Sequence, residues 1–456
     1  MRRSQYFPFR IGLLLLAAYL PVFGFAQGES QSAFVHVNLI PMDRERVLRD
    51  QTVLVKDGKI EALGSNLPVP AGVRAIDGHG TAYLSPGLAD MHTHAETRND
   101  LAVYLANGVT TVLQMGGARA SFVDTIVPQV NKGALPGPHV FTSFLVDGST
   151  DYNGFVIKTP AQAKAIVDLA KTNGYDFIKV YVGLSPEVFD ALADEGRRQH
   201  IPLVGHGVTA VRLERQLIEG QVLVAHAEEF FYTFFTPPGV EESDTPPDSS
   251  RIASAITLAK THHVAVTADL ATYAAIAHQI GHPDVLAAFL GRPEIIYLSP
   301  NDRLAWAMSP YRTKTARLDA KLDFLRVMLK GMADAGVELL AGTDAPGVPG
   351  LLPGYSLHED LAELERSGLT RFQALSTATR APGDFIVRTT GGEPFGQITL
   401  GFRADLILTA DNPLSVLSTL RSPLGVMANG RWRDAKELNG LLYNVRDSYR
   451  RASEPR

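Results

Sequence analysis

The sequence contains no cysteine. That excludes disulfides, thiolate metal sites, a cysteine nucleophile and a lipid-modified N-terminal cysteine. It also has little net charge, −5 over 456 residues with a pI near 6.2. Neither a nucleic acid nor an anionic membrane surface would find an electrostatic footprint here. Long apolar runs are missing too, apart from Ile11 to Phe25. That run is shorter than the ~20 residues that span a bilayer. It follows Arg2, Arg3 and Arg10 and meets Gly24-Phe-Ala26, which puts small residues first and third before a cut after Ala26. This is the pattern of an export leader. Residues 1–26 are therefore expected to be removed, leaving a periplasmic or secreted protein without a stable membrane anchor.

What remains is ordinary for a globular protein, 45% hydrophobic and 20% charged. The length suits one large domain and a smaller one. Phe34–Ile40 and Thr52–Gly64 read as short strands, and Asp57-Gly58 between alternating apolar runs is a hairpin signal. Gly396–Leu408 and Leu424–Gly430 have the same character at the other end. The two segments are expected to form one small β-sandwich, from 27–85 and 391–456.

The middle, 86–390, alternates apolar strand runs with amphipathic helices, the pattern of a parallel α/β fold. Eight strand candidates occur: Leu88–His92, Val109–Met115, Val140–Leu145, Phe177–Val182, Leu203–His206, Leu223–His226, Val264–Asp269 and Glu338–Asp344. Helices are expected between them, among others at Pro160–Asn173, Pro186–His200, Val208–Gly220 and Ala316–Gly336. Eight such units suggest a closed (β/α)8 barrel, a TIM barrel, with its site at the C-terminal ends of the strands.

Single polar residues stand at those ends. The first strand ends in His92-Thr-His94, and residues two apart on a strand face the same side. The fourth carries Lys179, the fifth ends in His206, the sixth in His226 and the eighth in Gly342-Thr-Asp344. Four imidazoles and a carboxylate at one barrel mouth suit Zn²⁺ or another divalent first-row ion. An ammonium among Phe177, Ile178, Val180 and Val182 is costly. Reaction of Lys179 with CO₂ would turn it into an anionic carbamate able to bridge two metals. A Schiff-base lysine and an amine snorkelling from the mouth are the competing readings.

With these residues in place the sequence resembles the amidohydrolase superfamily of metal-dependent hydrolases, in its imidazolonepropionase-like and prolidase-like branch. Ser85-Pro-Gly-Leu-Ala-Asp-Met-His-Thr-His94, Gly342-Thr-Asp-Ala345, Leu357–Leu364 with Gly368–Leu375, and Gly396–Leu406 carry the resemblance, which spans the mature chain. The sixth strand has Ala-His-Ala where many relatives have Glu-His-Gly, and Thr379-Arg-Ala-Pro-Gly383 departs from a commoner Thr-x-Asn-Pro-Ala. The resemblance implies that His92, His94 and Asp344 bind one metal and that His206 and His226 bind the other. N6-carboxylated Lys179 and a hydroxide would bridge them, and Asp344 would move the proton.

Export points to a peptide or N-acyl amino acid as substrate, with an Xaa-Pro dipeptide as the narrow expectation from the resemblance. Cyclic amides, esters or lactones form the alternative within hydrolases. A Schiff-base lyase using Lys179 and a non-catalytic exported binding protein are the alternatives outside them. Tyr181, on the face of Lys179, and Tyr232, in an aromatic segment within 227–250, are candidate substrate contacts. Arg303 and Arg312, after the seventh strand, could hold a substrate carboxylate. Association into a homo-oligomer is left open by the sequence.

Overall fold

The computed structural model describes residues 31–151 and 154–452. The expected leader, 1–26, lies outside the described residues. Two β systems organise the chain. The smaller is built from both ends: Gln31–Leu39, Leu48–Lys56, Lys59–Gly64, Arg74–Asp77 and Tyr83–Pro86 from the first part, then Leu406–Thr409, Gly425–Ala428 and Arg431–Asp434. Tyr83–Pro86 pairs antiparallel with Leu406–Thr409, which joins the two ends. Arg74–Asp77 and Tyr83–Pro86 run parallel to Gln31–Leu39, and the other pairs are antiparallel.

This sheet curls until its ends face each other, which makes the sandwich. Phe34 of a central strand meets Trp432 of the edge strand, ring centroids 5.2 Å apart. The expected hairpin forms at Asp57-Gly58, with φ of 49° and 77°, the left-handed pair a two-residue turn requires. Its tip packs so closely on the opposite turn that a Cβ on Gly430 would lie 2.4 Å from Gly58 Cα. Phe34, Val37, Val53, Ile60, Leu84, Leu406 and Met427 fill the space between.

The larger system is a barrel of eight parallel strands: Leu88–Thr93, Val109–Gln114, His139–Asp147, Phe177–Val180, Leu203–Gly205, Gln221–Val224, Ala265–Thr267 and Leu339–Leu340. A short added strand, Phe155–Val156, pairs with the third. The ring closes between eighth and first, where Ala341 accepts from Met91 N at 2.9 Å and His92 from Asp344 N at 2.7 Å. Helices Pro160–Thr172, Pro186–Gln199 and Asp319–Ala335 form where the apolar spacing places them. The helix expected at 208–220 is shorter, Leu213–Ile218, because Arg212 before it takes a left-handed φ of 69°. Two helices not singled out in advance, Pro283–Leu290 and Pro300–Ala307, form a lobe between the seventh and eighth strands. Trp306 of this lobe donates to the Pro346 carbonyl at 2.9 Å and braces the loop after the eighth strand. No helix among the described residues is long and apolar enough to cross a membrane.

One glycine joins the two systems. Gly87 separates Tyr83–Pro86 of the sandwich from the first barrel strand. A Cβ there would lie 2.1 Å from Thr110 Oγ1 and 2.8 Å from Thr110 Cβ, in a fully packed place. The barrel strand then slips register: its partner advances from Val112 to Gln114 while it advances from Asp90 to Thr93. Ala89 and Met91 line the inner core. Strict alternation would turn His92 outward, and the extra residue returns it to the interior. Gly87→Ala should destabilise the fold by about 1–3 kcal/mol, a fall of about 1–3 °C in Tm. Adding Thr110→Ala, which removes two of the three clashing atoms, should recover part of the loss. An unchanged Tm in the single variant would mean that the joint tolerates a side chain.

Candidate metal centre

The strand ends bring the six expected ligands together. His94 Nε2 lies 2.7 Å from Asp344 Oδ1, and His92 Nε2 lies 3.5 Å from the same oxygen. Lys179 Nζ is 3.2 Å from His92 Nε2. The His226 ring packs 4.3 Å from His92 and 5.0 Å from His206, centroid to centroid. His92, Lys179, His206 and His226 are buried, while the His94 side chain is 34% exposed. Access to the cluster therefore runs over His94 and Asp344.

Two carboxylates that sequence reasoning did not assign to the site hold these rings. Asp269, the last residue of the seventh strand run, places Oδ2 3.0 Å from His92 Nδ1 and 3.0 Å from His226 Nδ1. Thr267 donates to that oxygen at 2.6 Å. Glu229 stands 2.5 Å from His206 Nδ1 and accepts from Gly207 N at 2.9 Å. A carboxylate at Nδ1 keeps the proton there and leaves Nε2 as the ligand atom. The signal for Asp269 was present, a lone carboxylate ending an apolar strand as Asp344 does. Glu229 lay among the aromatic residues after the sixth strand and had no such mark. His92, His226 and Asp269 also form a trio with metal-ligand spacing. Because Thr267 already donates to the shared oxygen, we read that trio as the hydrogen-bonded frame behind the site.

His226, Asp269 and Asp344 all have left-handed backbones, φ 72°, 43° and 55°. For side chains other than glycine this costs about 1–3 kcal/mol each. It turns the residue off the strand line and into the mouth.

The electrostatics call for a cation. Burial opposes the charge on His226, yet Asp269 and Glu228 outweigh it and push the imidazole up to about 10. Burial raises Glu228 to about 8 and Glu229 to about 7. Burial also works against an ionised Asp344, but His94 and His92 outweigh it and hold the carboxyl well below its usual range. Burial pushes His92 down to about 3 and Lys179 down to about 8. His94 Nε2 and Asp344 Oδ1 lie 2.7 Å apart, yet both are buried atoms without an aligned hydrogen-bond partner. Two possible ligand atoms 2.7 Å apart without an aligned hydrogen bond fit a shared metal ion. His92, His94 and Asp344 could hold one.

Of the expected substrate contacts, Tyr181 lies at the cluster, its ring 4.1 Å from that of His206 and 5.8 Å from Lys179 Nζ. Tyr232 is half-buried in the segment after the sixth strand. That segment is packed and clamped. Phe231 and Phe235 lie 5.6 Å and 5.2 Å from Phe324. Arg212 and Arg251 donate to the carbonyls of Tyr232, Phe234, Phe235 and Thr236. It is a wall rather than a loose loop. Arg303 and Arg312 donate to Leu298 and Ala307 carbonyls, both at 3.0 Å, within their own lobe. These hydrogen bonds stay within the lobe rather than reaching the cluster.

No protein-family model matches the chain. Ochratoxinase from Aspergillus niger is 24% identical over 433 residues, 88% of this chain and 85% of that one. Among solved structures, bottromycin amidohydrolase superposes with a TM-score of 0.73 at 25% identity, covering 92% of this chain and 91% of its own. A Xaa-Pro dipeptidase with methionine bound in its active site superposes with a TM-score of 0.66 at 17% identity, covering 89% and 100%.

Asp269→Asn should lower affinity for Zn²⁺ by about 10–100-fold, read by competition with a chromophoric chelator. Gly342→Ala should act in the same direction, because its Cβ would lie 2.3 Å from Asp269 Oδ1. Wild-type affinity in both variants would remove Asp269 from its orienting role.

Proposed function

We propose that this chain, a member of the amidohydrolase superfamily, is an exported hydrolase that cleaves the amide bond of a peptide or an N-acyl amino acid at a two-metal centre. One observation carries the reading: His92, His94, Lys179 and Asp344 converge from three strands, with His94 Nε2 and Asp344 Oδ1 2.7 Å apart. His92, His94 and Asp344 would hold one ion, and His206 and His226 the other. Carboxylated Lys179 would span the two. The nitrogen and oxygen donors favour zinc. Two bound ions would polarise the scissile carbonyl and lower the pKa of a water between them to about 7.

The chain's own residues do the rest. Asp344 stands at the open side of the cluster, its side chain 14% exposed, and is held as carboxylate by His94 and His92 against the cost of burial. It takes a proton from the attacking water and returns it to the leaving nitrogen. Asp269 and Glu229, hydrogen-bonded to Nδ1 of His92 and His206, keep these two imidazoles in the tautomer that presents Nε2, and Asp269 stands 3.0 Å from Nδ1 of His226. Lys179, buried and pushed down to about 8, is supplied in part as the neutral amine that CO₂ requires, far more than an exposed lysine would be. Tyr181 lines the mouth beside His206. The names of the relatives agree with amide cleavage, and the Xaa-Pro dipeptidase likeness supports a dipeptide as the narrower guess. The leader-like N-terminus supports export.

Zinc-loaded protein with bicarbonate should release an amino acid from a mixed library of dipeptides and N-acyl amino acids, read by mass spectrometry. Lys179→Ala should abolish the release. No release from any member, with zinc bound, would move the substrate to cyclic amides, esters or lactones. A borohydride-trapped adduct at Lys179 would replace hydrolysis by Schiff-base chemistry. Separately, Asp344→Asn should cut kcat by about 10²–10⁴-fold, and near-normal turnover would sink its role as proton carrier.

A further inference from the structure

Resting on that reading, we propose that Gly347 is a specificity residue of the same site, whose missing side chain leaves room for a bulky leaving amino acid. Gly347 lies in the loop after the eighth strand, exposed between buried Pro346 and Val348. A Cβ built on it would stand 3.5 Å from His94 Nδ1 and 3.6 Å from Asp344 Oδ1. It therefore borders the open side of the cluster, beside the exposed edge of His94.

The fold does not require glycine there. Its φ lies outside the left-handed range that strains a side chain. Two neighbouring glycines are different. A Cβ on Gly116 would strike the His94 ring at 2.6 Å, and one on Gly342 would strike Asp269 Oδ1 at 2.3 Å. At Gly347 the tightest contact would be the Asp344 carbonyl oxygen at 3.0 Å, which a shift of a few tenths of an ångström relieves. What this glycine provides is space. The loop around it is held in place, so the space is fixed. Trp306 donates to the Pro346 carbonyl at 2.9 Å, Gly347 N to the Asp344 carbonyl at 2.7 Å and Leu351 N to the Val348 carbonyl at 3.1 Å.

Proton return puts the leaving group in that space. The leaving nitrogen must come within about 3 Å of the Asp344 carboxylate to take its proton. The amino acid it carries begins one bond further out. The inner side of Asp344 is filled by His92, 3.5 Å from Oδ1, with Lys179 3.2 Å beyond it. The leaving residue therefore extends outward, over His94 and Gly347, and meets bare backbone. Pro346 and Val348 on either side bring no charge, which suits a large neutral side chain.

The test uses zinc-loaded wild type, Gly347→Ala and Gly347→Val. The substrates are alanyl-glycine, alanyl-phenylalanine, phenylalanyl-glycine, N-acetylglycine and N-acetylphenylalanine. Zinc affinity is read beside them by competition with a chromophoric chelator, and should stay near wild type in Gly347→Ala. In that variant kcat/KM for the two phenylalanine-releasing substrates should fall roughly 10–200-fold more than for their glycine-releasing counterparts, the range for one carbon group in a close-fitting pocket. The gap should widen in Gly347→Val. Phenylalanyl-glycine, bulky on the acyl side, should follow alanyl-glycine. Equal losses on all substrates, or losses that track a lowered zinc affinity, would make Gly347 a support of Asp344 and overturn the assignment. A wild-type preference for glycine release would overturn it too. If wild type cleaves none of the five, the hydrolase reading fails, and calorimetric titration with L-phenylalanine decides Gly347 alone. Binding that weakens in Gly347→Ala supports it, and unchanged or absent binding overturns it.

Discussion

The Oδ2 of Asp269 stands 3.0 Å from one nitrogen of His92 and 3.0 Å from one nitrogen of His226, with the Thr267 hydroxyl at 2.6 Å. One oxygen thus ties the ends of the first, sixth and seventh strands. It also fixes which nitrogen each imidazole turns to the interior of the mouth, and so which atom can act as a ligand. The close approach needs Gly342 on the eighth strand, because any side chain there would strike Asp269 and His92. Four of the eight strands are therefore keyed to one carboxylate. Its own position is set from below by Asp360, which accepts from the amides of Leu270, Ala271 and Gly342.

Much of this was legible because barrels put chemistry in a predictable place. All eight strand runs and the polar residue closing each of five of them follow from apolar periodicity, and the Asp57-Gly58 turn follows from backbone sterics. Three things were not legible. Asp269 ends a strand as Asp344 does, but a carboxylate that works through another side chain has no spacing of its own. His92 faces inward only through a slip of register, which depends on the neighbouring strand. Arg303 and Arg312 were open between a substrate contact and surface charge, because charge is visible in a sequence and the carbonyls that bind it are not. The aromatic run around Tyr232 was open between packing, substrate recognition and a subunit contact, and in the structure its Phe231 and Phe235 pack against Phe324.

The left-handed backbones at His226, Asp269 and Asp344 fall at strand ends that carry site residues. Such conformations persist only where the surroundings over-determine them. Here Trp306 braces the loop after Asp344, Thr267 and Asp360 brace Asp269 and the helix behind it, and the clamped aromatic wall braces the segment after His226. The lobe of Pro283–Leu290 and Pro300–Ala307 is thus part of the support of the eighth strand end rather than an appendage. Among the described residues of the cluster, His94 and Asp344 are the most open to solvent.

The pairing of Tyr83–Pro86 with Leu406–Thr409 has a consequence for how the chain is made. During synthesis the early part of the sandwich emerges first, but its joining edge has no partner until residues 406–409 have left the ribosome. The first barrel strand follows that edge after a single glycine, and its closing neighbour, the eighth strand, comes almost as late. Domains that lie in one stretch can fold as they emerge. This one cannot complete either of its two β systems until nearly the whole polypeptide is available. Loop closure over so long a separation makes the last step slow. The topology itself keeps the nascent chain from closing until its last strands have been made.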